Sequence, residues 1–267
     1  MLKKITVCYL FTKFDNEQTL LSFIDNYKKY NSNYPHNLVI CFKLLDIIFI
    51  NNLRIHLNGI NYVEFIDKSS QNDFDFGSYK RISEKYPDDI ILFLNSHSYP
   101  NCDLWLSKIV NLYKGKTIIG TSASNESLLS SLKLKKFYKF FGYSLKKYKY
   151  QKDFFKFPNP HIRTTGFLIN ATDFHNYIKD KKLNSKYDAW LIESGKNNLT
   201  NYFKKKNYDI IVVNSDGNHY LENNWMLSET YNYLNQSKAI ISDRHTRKYL
   251  GLSDENKRIS QFNTWGI

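Results

Sequence analysis

Asn72-Asp73-Phe74-Asp75-Phe76-Gly77-Ser78-Tyr79-Lys80, followed by Asp89-Ile90-Ile91-Leu92-Phe93-Leu94-Asn95-Ser96-His97-Ser98-Tyr99-Pro100, is the stretch whose reading decides the fold. The second part is an unbroken apolar run with polar residues on both sides, the pattern of a strand buried on both faces. It runs straight into groups that can ligate a cation or hydrogen-bond a sugar hydroxyl. The first part is a polar, glycine-containing loop that opens a helix. Open α/β sheets place their ligands at such strand ends.

The same alternation extends in both directions. Strands are predicted over 4–11, 37–42, 60–66, 89–94 and 116–121, with helices over 17–30, 46–57, 77–85 and 103–113 between them. Short buried strands alternating with amphipathic helices imply βαβ units around a largely parallel sheet. After Ser122 the rhythm breaks, and 132–157 reads as irregular and very basic. A strand over 161–169, helices over 171–180 and 188–205, a strand over 209–213 and a Tyr/Asn-rich tail follow. The expectation is one α/β domain over 1–267 with a loop-rich C-terminal half. Residues 1–122 would bind a nucleotide and 123–267 an acceptor.

A chain of 267 residues with 42% hydrophobic and 24% charged residues can bury a sizeable core, so bulk disorder is excluded. The net charge of +13 favours anionic partners: phosphate-bearing substrates, nucleic acid or an acidic membrane surface. Cys8, Cys41 and Cys102 lie far apart and form neither a disulfide framework nor a CxxC metal site, which suits a reduced, cytoplasmic protein. The apolar runs 5–11 and 44–50 are far shorter than the roughly 20 residues of a membrane helix. A cytoplasmic protein is expected, held at most peripherally at the inner membrane face.

Five constellations carry chemistry. Asn95-Ser96-His97 ends a buried strand and could ligate a divalent cation, or its Asn could simply cap the next turn. In the Asp75-containing loop, Gly77 would let backbone approach a ligand and Asp75 could accept from ribose hydroxyls; a surface N-cap is the other reading. Glu193 is a candidate general base on an apolar stretch, or a solvated helix residue. Ser242-Asp243-Arg244-His245-Thr246-Arg247 could close over a diphosphate, Arg244 and Arg247 on oxygen and His245 on a metal, or form a surface ion cluster. Last, 133–156 holds nine lysines, nine aromatics and a single acid, Asp153. That interleaving suits a membrane interface, a single-stranded nucleic acid, or a solvated loop.

Taken in order, these motifs resemble a family of bacterial and viral GT-A-type glycosyltransferases of capsular and O-antigen polysaccharide synthesis, related to the rhamnan-synthesis type. The resemblance rests on Asp75-Phe76-Gly77-Ser78-Tyr79, the run Asp89 to Pro100, Gly120-Thr121-Ser122, Pro160-His161-Ile162-Arg163-Thr164-Thr165-Gly166-Phe167 and Asp243-Arg244-His245-Thr246-Arg247. It covers about residues 72–250. It implies a GT-A-like, Rossmann-like sheet and a sugar transferred from a nucleotide diphosphate to a glycan or lipid-linked acceptor. Phe11, Thr12, Asp75, Gly77, Tyr79, Asn95, Thr165, Arg244 and Arg247 would hold the donor. Glu193 falls where inverting relatives place their base. Asn95-Ser96-His97 stands where the family carries an Asp-x-Asp metal site, so a Mn or Mg ion would rest on Asn95, His97 and His245.

A hexosyl- or deoxyhexosyltransferase is therefore expected, with no nucleic-acid partner and with possible peripheral membrane contact through 132–157. Two other readings stand beside it. The charge and the Lys/Tyr segment also suit a nucleic-acid-binding module, and the missing Asp-x-Asp suits a catalytically inactive scaffold.

Overall fold

The computed structural model describes residues 4–69, 71–134 and 140–267 of the chain. Its centre is an eight-stranded sheet. In chain order the first elements are β1 (Ile5–Thr12), α1 (Glu17–Lys29), β2 (Asn37–Lys43), α2 (Ile47–His56), β3 (Val63–Asp67), α3 (Phe74–Lys85) and β4 (Ile90–Leu94). Then come β5 (Tyr99–Pro100), α4 (Trp105–Val110), β6 (Thr117–Gly120), β7 (Ala123–Ser124), α5 (Phe140–Asp153), β8 (His161–Ile162) and β9 (Gly166–Asn170). The chain closes with α6 (Ala171–Ile178), α7 (Lys186–Ser194), α8 (Leu199–Lys204), β10 (Asp209–Val213), β11 (His219–Tyr220), a 3-10 helix (Glu222–Ser228), β12 (Ile241–Ser242), α9 (Arg244–Leu250) and α10 (Asp254–Trp265).

The strand order is β11-β10-β6-β9-β4-β1-β2-β3. β3, β2, β1 and β4 are mutually parallel, as are β6 and β10; β9 runs antiparallel between β4 and β6, and β11 antiparallel to β10. The expected α/β architecture, mostly parallel, is the one observed. Period-2 burial explains it. Ile5, Val7, Tyr9 and Phe11 of β1 face one core with Leu20, Phe23, Leu53 and Trp105 from α1, α2 and α4. Cys8 and Leu10 face a second core with Phe76 and Ile82 of α3, Phe174 of α6 and Phe203 of α8. A strand covered on both faces reads as an unbroken apolar run. Fully buried side chains such as Leu92 and Phe93 each stabilise the sheet by about 1.5–3 kcal/mol.

Four differences from the sequence reading have local causes. The strand expected over 161–169 is two, because Arg163 N donates to Ser122 O and Thr164 N donates to the Glu193 carboxylate, taking both out of the ladder. The helix expected over 188–205 breaks at Gly195, where a Cβ would lie 2.6 Å from the Leu191 carbonyl oxygen; Asn198 then caps a fresh start at Leu199. The segment read as irregular contains α5; its residues 135–139 lie outside the described residues. The tail carries α9 and α10, opened by Asp243 and Ser253 as N-caps. Among the described residues, no helix is long and apolar enough to cross a membrane.

Candidate functional site

From β1 the chain steps to β2 and β3 on one side and to β4 on the other, so the order reverses between β1 and β4. At such a switch point the loops leaving adjacent strands diverge and open a crevice. A cavity of about 550 Å³ lies there, lined by Thr12 at the end of β1, Lys43 at the end of β2, Asn95 after β4 and Thr165 before the antiparallel β9. Asp15 organises its floor. Its carboxylate accepts from Thr12 N at 2.9 Å, Thr12 Oγ1 at 2.7 Å and Ser96 Oγ at 2.8 Å. His97 Nε2 stands 3.5 Å from the same carboxylate. Burial holds the His97 imidazole below its ordinary pKa, against the pull of Asp15. Asn95 Oδ1 accepts from His97 N at 3.1 Å and Ser98 Oγ at 2.8 Å, so this side chain caps the turn after β4.

The start of α3 forms a second wall. Lys43 is buried and donates to the Asp73 carboxylate and the Phe74 carbonyl. Arg81 donates to Asp73 at 2.7 Å and to Asp67 at 2.6 Å. This network holds Phe74 at a left-handed φ of 56°, a conformation a bulky residue adopts only when its surroundings impose it. Asp75, one residue on, lines the cavity and accepts no hydrogen bond among the described residues. Burial pushes its carboxyl up to about 6; Lys43 opposes the rise, and the Asp15 and Glu193 carboxylates add to it.

Three of the N-terminal residues expected at the ligand lie elsewhere. Phe11 is fully buried against Phe42, because odd positions of β1 face the α1–α2 core. Tyr79 is fully buried beside Phe93 and Phe167 on the inner face of α3, its hydroxyl without a partner among the described residues. Gly77 does not line this cavity. A Cβ there would come within 1.9 Å of the Asp73 carboxyl carbon, so the glycine makes room for Asp73 to fold back over its own helix.

The third wall comes from the C-terminal half. β12 pairs antiparallel with β5, Ser242 opposite Tyr99, and so brings Asp243–His245 beside Asn95–His97. Asp243 caps α9 through the backbone N–H groups of His245 and Thr246, and also accepts from buried Arg163 at 2.7 Å. Burial alone would raise the Asp243 carboxyl; Arg163 and the Thr246 N–H bring it down to about 2. The Arg163 guanidinium lies flat on Tyr231, 3.7 Å from the ring centroid. Arg244 and His245 extend into the cavity mouth, and burial lowers the His245 pKa. Arg247 turns away: it stacks on Tyr99 and donates to His97 O at 3.1 Å, holding the His97 loop instead of lining the cavity.

Glu193, near the end of α7, completes the arrangement. Its Oε1 accepts from Thr164 N at 3.2 Å and Thr164 Oγ1 at 3.0 Å, which fixes the carboxylate and leaves Oε2 without a partner among the described residues. A second cavity of about 880 Å³ adjoins the first, and Arg163, Glu193 and His245 line both. The second cavity is faced by Trp190, Tyr231, Phe157 and Phe262 together with several serine hydroxyls.

The residues present do not fit a resident divalent cation. Asn95 Oδ1 is already engaged twice, and no group of three His, Cys, Asp or Glu side chains suited to a metal occurs among the described residues. Positive charge at the first cavity comes instead from Lys43, Arg163, Lys186 and Arg244. Lys186 and Arg244 are exposed at the mouth and pair with no carboxylate among the described residues.

No family model matches the sequence, and no curated protein does. Among solved structures, the chain is similar to the galactosyltransferase LgtC in complex with donor and acceptor sugar analogues, at 10% identity over 79% of this chain and 73% of that one, TM-score 0.47. It is similar to 4-diphosphocytidyl-2C-methyl-D-erythritol synthase from Anaerococcus prevotii, at 11% identity over 79% and 86%, TM-score 0.46. It is also similar to the mannosyltransferase PcManGT from Pyrobaculum calidifontis in complex with GDP-Man and Mn2+, at 8% identity over 70% and 50%, TM-score 0.41; the chain thus spans half of that protein. With every score below 0.5, the likeness is one of layout, and the chemistry rests on the residues themselves.

Asp15, Lys43, Lys186 and the exposed Phe14 were missed by the sequence reading, yet two carried a signal. Asp15 follows Thr12 by three positions at the end of a predicted strand. Lys43 ends an apolar run whose C-terminal edge is shared with β1.

Proposed function

We propose that this chain is a GT-A-like glycosyltransferase that moves a sugar from a nucleotide diphosphate to a glycan or lipid-linked acceptor. The observation that carries this reading is the junction of the two cavities at Glu193, with cations and ribose-competent polar groups on one side and aromatic, hydroxyl-rich walls on the other. In the first cavity Asp75 and Thr12 take the ribose, Phe14 and Phe74 flank the base, and Thr165 faces the donor sugar. Lys186 and Arg244 meet the diphosphate, with Arg163 behind them. The second cavity receives the acceptor, so that residues 1–122 supply the nucleoside contacts and 123–267 the diphosphate, sugar and acceptor contacts and the base.

In the reaction, Glu193 Oε2 takes the proton of the acceptor hydroxyl. The acceptor oxygen bonds to the anomeric carbon as the bond from that carbon to the diphosphate oxygen breaks, and the nucleoside diphosphate leaves with the electron pair. Preorganised cations stabilise the charge that develops on the leaving group, because they need not reorient as it forms. Thr164 holds Glu193 in place throughout. Glu193→Gln keeps the side chain's shape and removes the base. Transfer of radiolabelled sugar should fall about 100-fold to 10,000-fold while donor affinity is retained. Turnover like that of the wild type would remove Glu193 from the mechanism.

A further inference from the structure

We infer that the outer face of α5 is a docking surface for an anionic phospholipid bilayer. At 3.6 residues per turn, positions 141, 145 and 148 fall within one narrow stripe. There Phe141, Leu145 and Tyr148 stand 78%, 59% and 74% exposed. The opposite face is already satisfied: Tyr150 and Phe154 are buried against Tyr187, Trp190 and Leu191 of α7. The helix therefore carries two apolar faces, and one is uncovered. Lys152 falls in line with the uncovered stripe and Lys149 beside it, whereas Lys146 and Lys147 lie about 130° from its centre, toward the buried Tyr150; the helix's one acid, Asp153, is engaged by the Tyr187 hydroxyl at 2.7 Å.

An apolar stripe rimmed by lysines inserts its side chains at the headgroup boundary while the ammonium groups meet lipid phosphates. A second copy of the chain is a poor occupant, since Lys149 and Lys152 of each copy would face one another across the contact. Single-stranded nucleic acid is disfavoured too: the surface is a convex helix and not a groove, and Leu145 offers no ring for a base to stack on. Because α5 packs on the helix that carries Glu193, docking would set the second cavity beside the bilayer. That consequence, a lipid-linked acceptor, rests on the transferase reading; the docking itself does not.

The test is co-sedimentation of the full chain with vesicles, without any enzymatic readout. Binding to mixed phosphatidylcholine–phosphatidylglycerol vesicles is expected, with little to pure phosphatidylcholine, and rising salt should release it. Replacing Lys149 and Lys152 together with Gln should weaken binding roughly fivefold per lysine. Phe141→Gln, Leu145→Gln and Tyr148→Gln combined should abolish it with an unchanged circular dichroism spectrum. Absence of binding to anionic vesicles, or undiminished binding by either variant, would overturn the inference. So would self-association that the triple variant abolishes without any lipid binding, or oligonucleotide binding that anionic vesicles fail to displace.

Discussion

Replacing Asp75 with Asn should make the unliganded protein more stable above about pH 6. Asp75 ionises at about 6 in the folded chain, raised first by burial and further by Asp15 and Glu193, with Lys43 opposing. In the unfolded chain an aspartate ionises at about 4. Between these values the folded state holds the proton more tightly, so stability falls as pH rises through that window and then levels off. A shift of about two units corresponds to roughly 3 kcal/mol, reduced somewhat because Asp75 keeps partial contact with water. Asn is isosteric and cannot ionise, so the variant should gain about 2–3 kcal/mol over the wild type in alkaline buffer and nothing below about pH 4. Urea denaturation across a pH series reads this directly. Equal stability of the two proteins at alkaline pH would refute the claim that Asp75 is held charged at a cost. Under the proposed function, that charge is kept for the donor's ribose.

Two other substitutions separate architecture from chemistry. Gly77→Ala should cost roughly 1–3 kcal/mol of stability, because the new methyl would collide with the Asp73 carboxylate that ties Lys43 and Arg81 together; a urea midpoint matching that of the wild type would show that α3 needs no glycine there. Asp243→Asn retains a capping side chain but leaves buried Arg163 unpaired, a loss of about 3–5 kcal/mol. Because the Asp243 carboxyl lies at about 2, this difference should be complete at neutral pH and disappear as pH falls through that value. A gap that persisted in acid would show that the ion pair is not its source.

Much of the fold is legible in the sequence because strands buried on both faces leave no ambiguity of period. β1, β2 and β4 are continuous apolar runs, and their ends mark one edge of the sheet. What joins that edge to the C-terminal half is not legible, because it depends on pairings between distant segments. The β5–β12 bridge brings Arg244 and His245 to His97, and the kink at Arg163–Thr165 lets Thr164 reach Glu193. Neither leaves a local periodicity. Asn95, His97, Asp75, Thr12, Thr165, Glu193, Arg244 and His245 do line one cavity. Phe11, Gly77 and Tyr79 show where motif reading goes astray. Phe11 adjoins Thr12, and Gly77 and Tyr79 follow Asp75 on α3, yet strand alternation turns Phe11 and helix phase turns Tyr79 into the core, while Gly77 faces Asp73.

The glycine and the break at Gly195 teach the same lesson from the backbone. A glycine permits close approach, but the sequence does not say of what. At Gly77 the approaching group is the chain's own Asp73, and at Gly195 it is the turn of α7 that carries Leu191. In both cases the ligand-facing consequence is indirect: one sets the start of α3 behind Asp75, and the other ends the helix two residues after Glu193.

Transfer as proposed requires the cavity at the β1–β4 reversal to grip a nucleoside diphosphate linked to a sugar. Isothermal titration calorimetry with a panel of nucleotide sugars, each with manganese and with a chelator, tests it most directly. Saturable heat is expected for at least one donor, retained in the chelator and weakened by Arg244→Ala. Silence for every donor in both conditions would contradict it.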